Sequence, residues 1–262
     1  IFIPILPKLN FDSIKHVIEN SSMKAIITDD TKISELKGFE KITKIINYKK
    51  ISNYINSNNF QNLKKKKIKI KKLDVASIIY SSGSTGRPKG ITIPHINFVK
   101  GAYIVSSYLK TKKSDRIAGV LSLNFDYGLN QLWQALLLGC SIHFHELIFA
   151  NDFFRFIKRN KISVLPLMPV MIYLIFKNKN IKNSFGLRKY VKYICTSGGP
   201  VSNLMIENLR KTFKSSKIYL MYGLTEAFRS TFLNPDFSIP RLDATLLSFV
   251  LIKARDSPRL WT

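Results

Sequence analysis

The chain has 262 residues, 45% of them hydrophobic and 12% aromatic, enough apolar mass for a substantial core, which excludes a disordered or low-complexity protein. Its 42 basic and 16 acidic residues give a formal charge of +26, which raises nucleic-acid or membrane-surface binding as a reading. Lysines outnumber arginines 32 to 10 and are scattered, with no arginine groove interleaved with aromatics, so the balance reads as coding bias and no specific nucleic-acid partner is expected. No apolar run reaches the ~18 residues of a membrane-spanning helix; the closest, Ser163 to Phe176, is broken by Pro166 and Pro169. Cys140 and Cys195 sit in apolar β-like runs and form no disulfide framework, so a reducing, cytoplasmic setting is the expectation.

In chain order, Ile1 to Pro7 is an apolar opening without initiator methionine, basic leader or cleavage site, and reads as a domain interior that has been cut open. A helix is expected from Asp12, with Ile14, Val17 and Ile18 on one stripe, then a strand over Ala25 to Thr28 and a second short helix and strand. Residues 48–73, with the lysine-rich run Lys64 to Lys72, read as a solvated basic connector whose Ile-Lys alternation would also suit an exposed edge strand. A β-like run, Val75 to Tyr80, precedes a Gly/Ser-rich loop, and Ile91 to Ile93 follows it. The pattern then predicts helices over Pro94 to Leu109, Tyr127 to Leu138, Asp152 to Lys158, Pro169 to Phe176 and Val201 to Phe213. Strands are predicted over Arg116 to Leu123, Ser141 to His145, Ser163 to Leu165, Val191 to Thr196 and Lys217 to Met221. This alternation is that of an α/β fold with largely parallel sheets flanked by helices. His143 and His145 share a strand face with Glu146 adjacent, but without a further ligand pair they read as structural.

Three stretches carry chemistry. The loop Tyr80-Ser81-Ser82-Gly83-Ser84-Thr85-Gly86-Arg87-Pro88-Lys89-Gly90 supplies unhindered N–H groups, hydroxyl donors and one mobile cation, the equipment of a polyphosphate site. It is not a Walker loop, because Gly90 follows the lysine and the loop leads into a strand. It is also longer and richer in hydroxyls than a chain reversal needs. The second stretch, Ser197-Gly198-Gly199-Pro200, follows a strand where α/β sheets place ligands. The third, Tyr222-Gly223-Leu224-Thr225-Glu226-Ala227, follows the next strand, and taken alone Thr225 could be a helix cap.

In this order the three resemble the signature elements of the AMP-forming acyl-CoA synthetases, the adenylate-forming superfamily that includes peptide-synthetase adenylation domains. The resemblance implies that Ser82, Gly83, Ser84, Thr85, Gly86 and Lys89 hold the β- and γ-phosphates of ATP. It places Gly198, Gly199 and Pro200 against the adenine, Tyr222 stacked on it beside Gly223, Thr225 on the α-phosphate, and Glu226 on Mg²⁺. Lys89, Thr225 and Glu226 are then the catalytic set. Asn124, Phe125 and Tyr127, in Leu121 to Gly128, resemble the segment lining the acyl pocket; many acyl-CoA ligases have a histidine there, and Asp126 could cap the following helix. Met221 to Phe232 is further similar to acyl-CoA ligases associated with exosortase systems.

The resemblance implies an ATP- and Mg²⁺-dependent ligase that activates a carboxylic acid and passes it to CoA or to a carrier protein. Residues 1–236 would be most of the family's large N-terminal domain, truncated at both ends. Residues 237–262 change composition, with one lysine to three arginines, and read as a frameshifted or rearranged end. No matched segment holds the family's mobile C-terminal domain, so this chain alone is expected to be partial or inactive. The alternatives are a non-catalytic ATP-binding remnant and an amino-acid adenylation domain.

Overall fold

The computed structural model describes residues 1–57, 68–82, 87–177, 190–226, 231–233 and 235. It divides into two units, Ile1–Ile96 and Asn97–Thr262. The tail 237–262 and the loop residues 83–86 lie outside the described residues.

The first unit is built on α1 (Phe11–Ser21), which starts where the Asn10 side chain accepts a hydrogen bond from the Ser13 N–H and stops at Ser22 in a left-handed conformation. Its expected stripe, Ile14, Val17 and Ile18, is buried; Ile14 and Ile18 join Ile26, Leu36 and Phe39 in a small core. β1 (Ala25–Thr28) and β2 (Lys44–Asn47) pair in parallel, with α2 (Asp30–Ile33) in the crossover. β3 (Val75–Ser82) and β4 (Pro88–Pro94) form a separate antiparallel hairpin, so the unit holds two small sheets instead of a single parallel one. The stretch read as a connector opens with a helix, α3 (Tyr48–Asn56), capped by the Asn47 side chain. Ile68 to Ile70 are exposed and in no strand, and residues 58–67 lie outside the described residues.

After α4 (His95–Leu109), the second unit continues as β5 (Arg116–Gly119), α5 (Asp126–Leu138), β6 (Ser141–Phe144), α6 (Ala150–Asn160), β7 (Val164–Leu167), α7 (Pro169–Phe176), β8 (Tyr193–Thr196), α8 (Asn203–Thr212), β9 (Lys217–Tyr222) and β10 (Thr231–Leu233). The sheet order is β10-β9-β8-β7-β5-β6; all pairs are parallel except β9–β10, an antiparallel edge that periodicity did not predict. α5 packs on β5 and β6, and α7 packs on both α6 and α8; with the usual right-handed crossover, this strand order assigns α5 to one face and α6, α7 and α8 to the other. β7 and β8 are buried at every position, as central strands covered on both faces must be. Phe153, Phe154, Ile157 and Ile162 pack against them.

The amino ends of the strands are tied by a polar clamp. The buried Asp115 carboxylate accepts from Lys112 N–H at 2.7 Å, Ser163 hydroxyl at 2.9 Å and Lys192 ammonium at 2.9 Å, joining the starts of β5, β7 and β8. Beside it the Thr111 and Tyr193 hydroxyls share a buried 2.6 Å hydrogen bond. Burial raises the Tyr193 phenol well above its ordinary pKa and raises the Cys140 thiol, so both stay neutral. Cys140 and Cys195 are buried core residues in no disulfide, as their apolar surroundings suggested.

Candidate active site

The phosphate-loop sequence is the tip of the β3–β4 hairpin. The strands run further into the motif than its composition suggested, pairing Tyr80 with Gly90, Ser81 with Lys89 and Ser82 with Pro88. Lys89 therefore rides on an exposed position of a paired strand one residue from the loop, and its backbone is held by the ladder. Two residues of α1 buttress the hairpin. The Tyr80 hydroxyl donates to the Asn20 amide oxygen at 2.6 Å, and the His16 Nε2 lies 3.0 Å from the Pro88 carbonyl. Neither His16 nor Asn20 belongs to a recognisable motif; what marks them is their placement one helical turn apart on α1.

In the second unit the remaining candidates gather at the carboxyl ends of neighbouring strands. β8 ends at Thr196 and turns through buried Ser197 into Gly198, at φ +89°, and Gly199, at φ +159°. An L side chain at Gly198 would be strained whatever the space around it. Thr196 pairs with Leu220 of β9, so the turn lies alongside the end of β9, where Tyr222 is 51% exposed and Thr225 and Glu226 follow. Thr225 caps no helix among the described residues; the chain returns as β10. β5 leads into the acyl-pocket segment, in which both the Asn124 N–H and its side-chain amide donate to the Ser122 hydroxyl and Phe125 is 50% exposed. Asp126 is not the helix cap: Phe125 holds that position without a side-chain bond, and Asp126 is the first helical residue. Tyr127 is buried, and its hydroxyl donates to the Cys195 carbonyl at 2.8 Å.

Topology singles out these strand ends. The chain goes from β5 outward to β6 and then returns past β5 to β7, so the order reverses between β5 and β7. At such a point the connections leave in opposite directions and a crevice opens at the carboxyl ends. Here Pro166 sits in the middle of β7 and contributes no N–H. β7 keeps four registered pairs with β8 but one with β5, Ile117 with Val164, so the ladder lapses before the carboxyl ends.

A family model described as AMP-binding enzyme matches residues 1–246. The chain belongs to the AMP-binding enzyme family. It is 32% identical over 165 residues to 4-coumarate–CoA ligase-like 6 of Arabidopsis thaliana, a match covering 60% of this chain and 29% of that protein. It is 25% identical over 237 residues to bacitracin synthase 2 of Bacillus licheniformis, covering 86% of this chain and 8% of that protein. Among solved structures it superimposes on O-succinylbenzoate coenzyme A synthetase of Bacillus subtilis in complex with ATP and magnesium ion, with a TM-score of 0.73 and 22% identity, over 89% of this chain and 46% of that one. The chain thus spans under a third of the two curated relatives' length. The α/β architecture with sheets flanked by helices, read from the sequence, is that of the adenylate-forming enzymes.

The two histidines of the β6 region make local contacts. His145 lies beyond β6, stacked on Phe156 at 4.3 Å and 3.3 Å from the Asp152 carboxylate, while the His143 Nε2 meets the Ser141 hydroxyl at 3.2 Å. Among the described residues no cluster of three metal-ligating side chains occurs, and no helix is long and apolar enough to cross a membrane. A single carboxylate such as the exposed Glu226 fits Mg²⁺, which takes most of its ligands from water and substrate phosphates.

Proposed function

We propose that this chain contributes the nucleotide- and acid-binding part of an AMP-forming ligase, which joins a carboxylic acid to a thiol at the expense of ATP. The observation that supports this best is the turn Ser197-Gly198-Gly199 beside the exposed Tyr222 on adjoining strand ends, next to the order reversal of a parallel sheet. A backbone turn free of side chains at Gly198 and Gly199 suits the edge of a planar base, and the Tyr222 ring suits its face.

In this reading Lys89 and the hydroxyls of Ser82, Ser84 and Thr85, with the N–H groups of Gly83 and Gly86, take the β- and γ-phosphates. Thr225 donates to the α-phosphate and Glu226 holds Mg²⁺ through a carboxylate oxygen. The metal supplies charge neutralisation when bound. The substrate carboxylate oxygen attacks the α-phosphorus, the bond to the bridging oxygen of the β-phosphate breaks, and acyl-AMP and pyrophosphate result. A thiol of CoA or of a carrier protein then displaces AMP. The protein contributes positioning and fixed positive charge to this transfer, with no nucleophile of its own. The acid lies along Asn124, Phe125 and the ring of Tyr127. The buried cysteines, in no disulfide, fit a reducing cytoplasmic setting.

A second reading, an amino-acid adenylation domain, is favoured by Asp126 in the first turn of α5, a carboxylate at the start of the acid segment. Lys89→Ala decides whether the hairpin binds nucleotide. Hydrogen bonds to charged groups contribute ~1.5–3 kcal/mol, so ATP·Mg affinity by titration calorimetry should fall roughly ten- to a hundredfold. Equal affinities in folded wild type and variant remove the hairpin from the site.

A further inference from the structure

The Tyr127 hydroxyl is out of place for a pocket-lining residue. It belongs to the first turn of α5, the helix that leads away from β5, yet its partner is the carbonyl of Cys195 on β8, two strands away with β7 between. The bond therefore links α5 to β8 past β7, whose one registered pair with β5 is Ile117 with Val164. Both ends are tightly held. Tyr127 is 5% exposed and Cys195 0% exposed. The neighbouring Gly128 lies so close to the preceding loop that a Cβ there would stand 2.0 Å from the Ser122 carbonyl oxygen. Thr196 and Ser197, which connect the bonded carbonyl to Gly198, are 1% and 2% exposed.

We infer that Tyr127 is a positioning residue for the nucleotide: by holding the Cys195 carbonyl it sets the path of the Ser197-Gly198-Gly199 turn, and so the edge offered to the base. The inference rests on the reading of that turn as the base-binding element. A free phenol in the acid pocket would act on the acid, whereas this one acts on the opposite wall of the crevice. Gly198 and Gly199 carry no side chain to brace themselves and are exposed, so the turn depends on whatever fixes the residues leading into it. A side chain from the acid-side helix doing so would also make the two substrate positions depend on one another.

The test is a comparison of two removals of a buried tyrosine hydroxyl from the same sheet. Tyr127→Phe cuts the tie across the crevice; Tyr193→Phe cuts the 2.6 Å bond to Thr111 at the amino end of β8 and serves as the structural control. Thermal unfolding of both is measured with the affinities of ATP·Mg and of inorganic tripolyphosphate·Mg, which has no base to contact the turn. Tyr127→Phe should weaken ATP roughly three- to tenfold, the worth of about one buried hydrogen bond, while tripolyphosphate stays within about twofold of wild type. Tyr193→Phe should lower the unfolding temperature comparably and leave ATP affinity within about twofold. Unchanged ATP affinity in Tyr127→Phe, or an equal loss in Tyr193→Phe, overturns the inference while leaving the nucleotide-binding reading intact. A wild-type chain that binds no ATP overturns that reading itself, and the inference with it.

Discussion

Gly128→Ala isolates the tight approach between the acid segment and α5. A Cβ at this position would lie 2.0 Å from the Ser122 carbonyl oxygen and 2.7 Å from its carbon, both backbone atoms that no rotamer change can move. Relieving the contact needs a shift of more than about 1 Å in either the helix start or the loop, and overpacking of this kind costs about 1–3 kcal/mol or more. Alanine recovers up to ~1 kcal/mol as the better helix former, since Gly128 lies inside α5. The clash exceeds that gain, and the net loss should be about 1–3 kcal/mol. In a domain of this size that lowers the unfolding temperature by roughly 2–4 °C per kcal/mol. Differential scanning calorimetry of wild type, Gly128→Ala and Gly128→Ser measures it, serine being expected at least as damaging because it adds a hydroxyl to the same space. An alanine variant as stable as wild type, or more so, would show that propensity dominates and that the segment is not wedged against the helix.

Asp115→Ala should destabilise by about 1–3 kcal/mol, because it strands the Lys112 N–H and the Ser163 hydroxyl while the part-exposed Lys192 ammonium keeps its bond to the Lys110 carbonyl; chemical denaturation measures this, and ATP·Mg affinity of the folded variant should not change. Gly198→Ala places a side chain at φ +89°, which costs on the order of 1–2 kcal/mol; ATP titration and thermal unfolding on the same sample should show affinity and stability falling together.

Much of the α/β alternation was legible because its signal is local. β1 and α7 fall where alternation and Pro169 placed them, and the α1 stripe is buried as its spacing required. Elements whose reason lies elsewhere in the chain were not. β10 is three residues long, too short for any period to show, and exists because β9 offers it an edge. Ser81, Ser82 and Lys89 read as loop by composition, yet pair as strands because a hairpin ladder uses backbone groups that every residue but proline carries, and Pro88 joins them at the ladder's last pair, with Ser82. In the site, glycines and hydroxyls at strand ends could be found from sequence. The hydroxyl of Tyr127 could not be assigned its partner, since a carbonyl 68 positions away leaves no mark on residue identity. The same holds for His16 and the Pro88 carbonyl, 72 positions apart.

The two ends of the parallel sheet are built on different terms. At the amino ends, one buried carboxylate gathers three donors and two hydroxyls satisfy each other, so strand starts are fixed by polar groups that have partners. At the carboxyl ends, a proline interrupts β7, two glycines take positive φ after β8, and the buried Thr196 hydroxyl has no hydrogen-bond partner among the described residues. Each of these would be a defect in a sheet selected for stability alone. An unsatisfied buried group costs ~1–3 kcal/mol, and a proline in a central strand forfeits a ladder bond. Their concentration at one end, where the strand order reverses, is what the proposed reading expects, since it puts a ligand's own groups where the sheet's pairing is incomplete. On the inference drawn above, the tie from Tyr127 to Cys195 supplies a bond between α5 and the end of β8 where β5 and β7 no longer register as a pair.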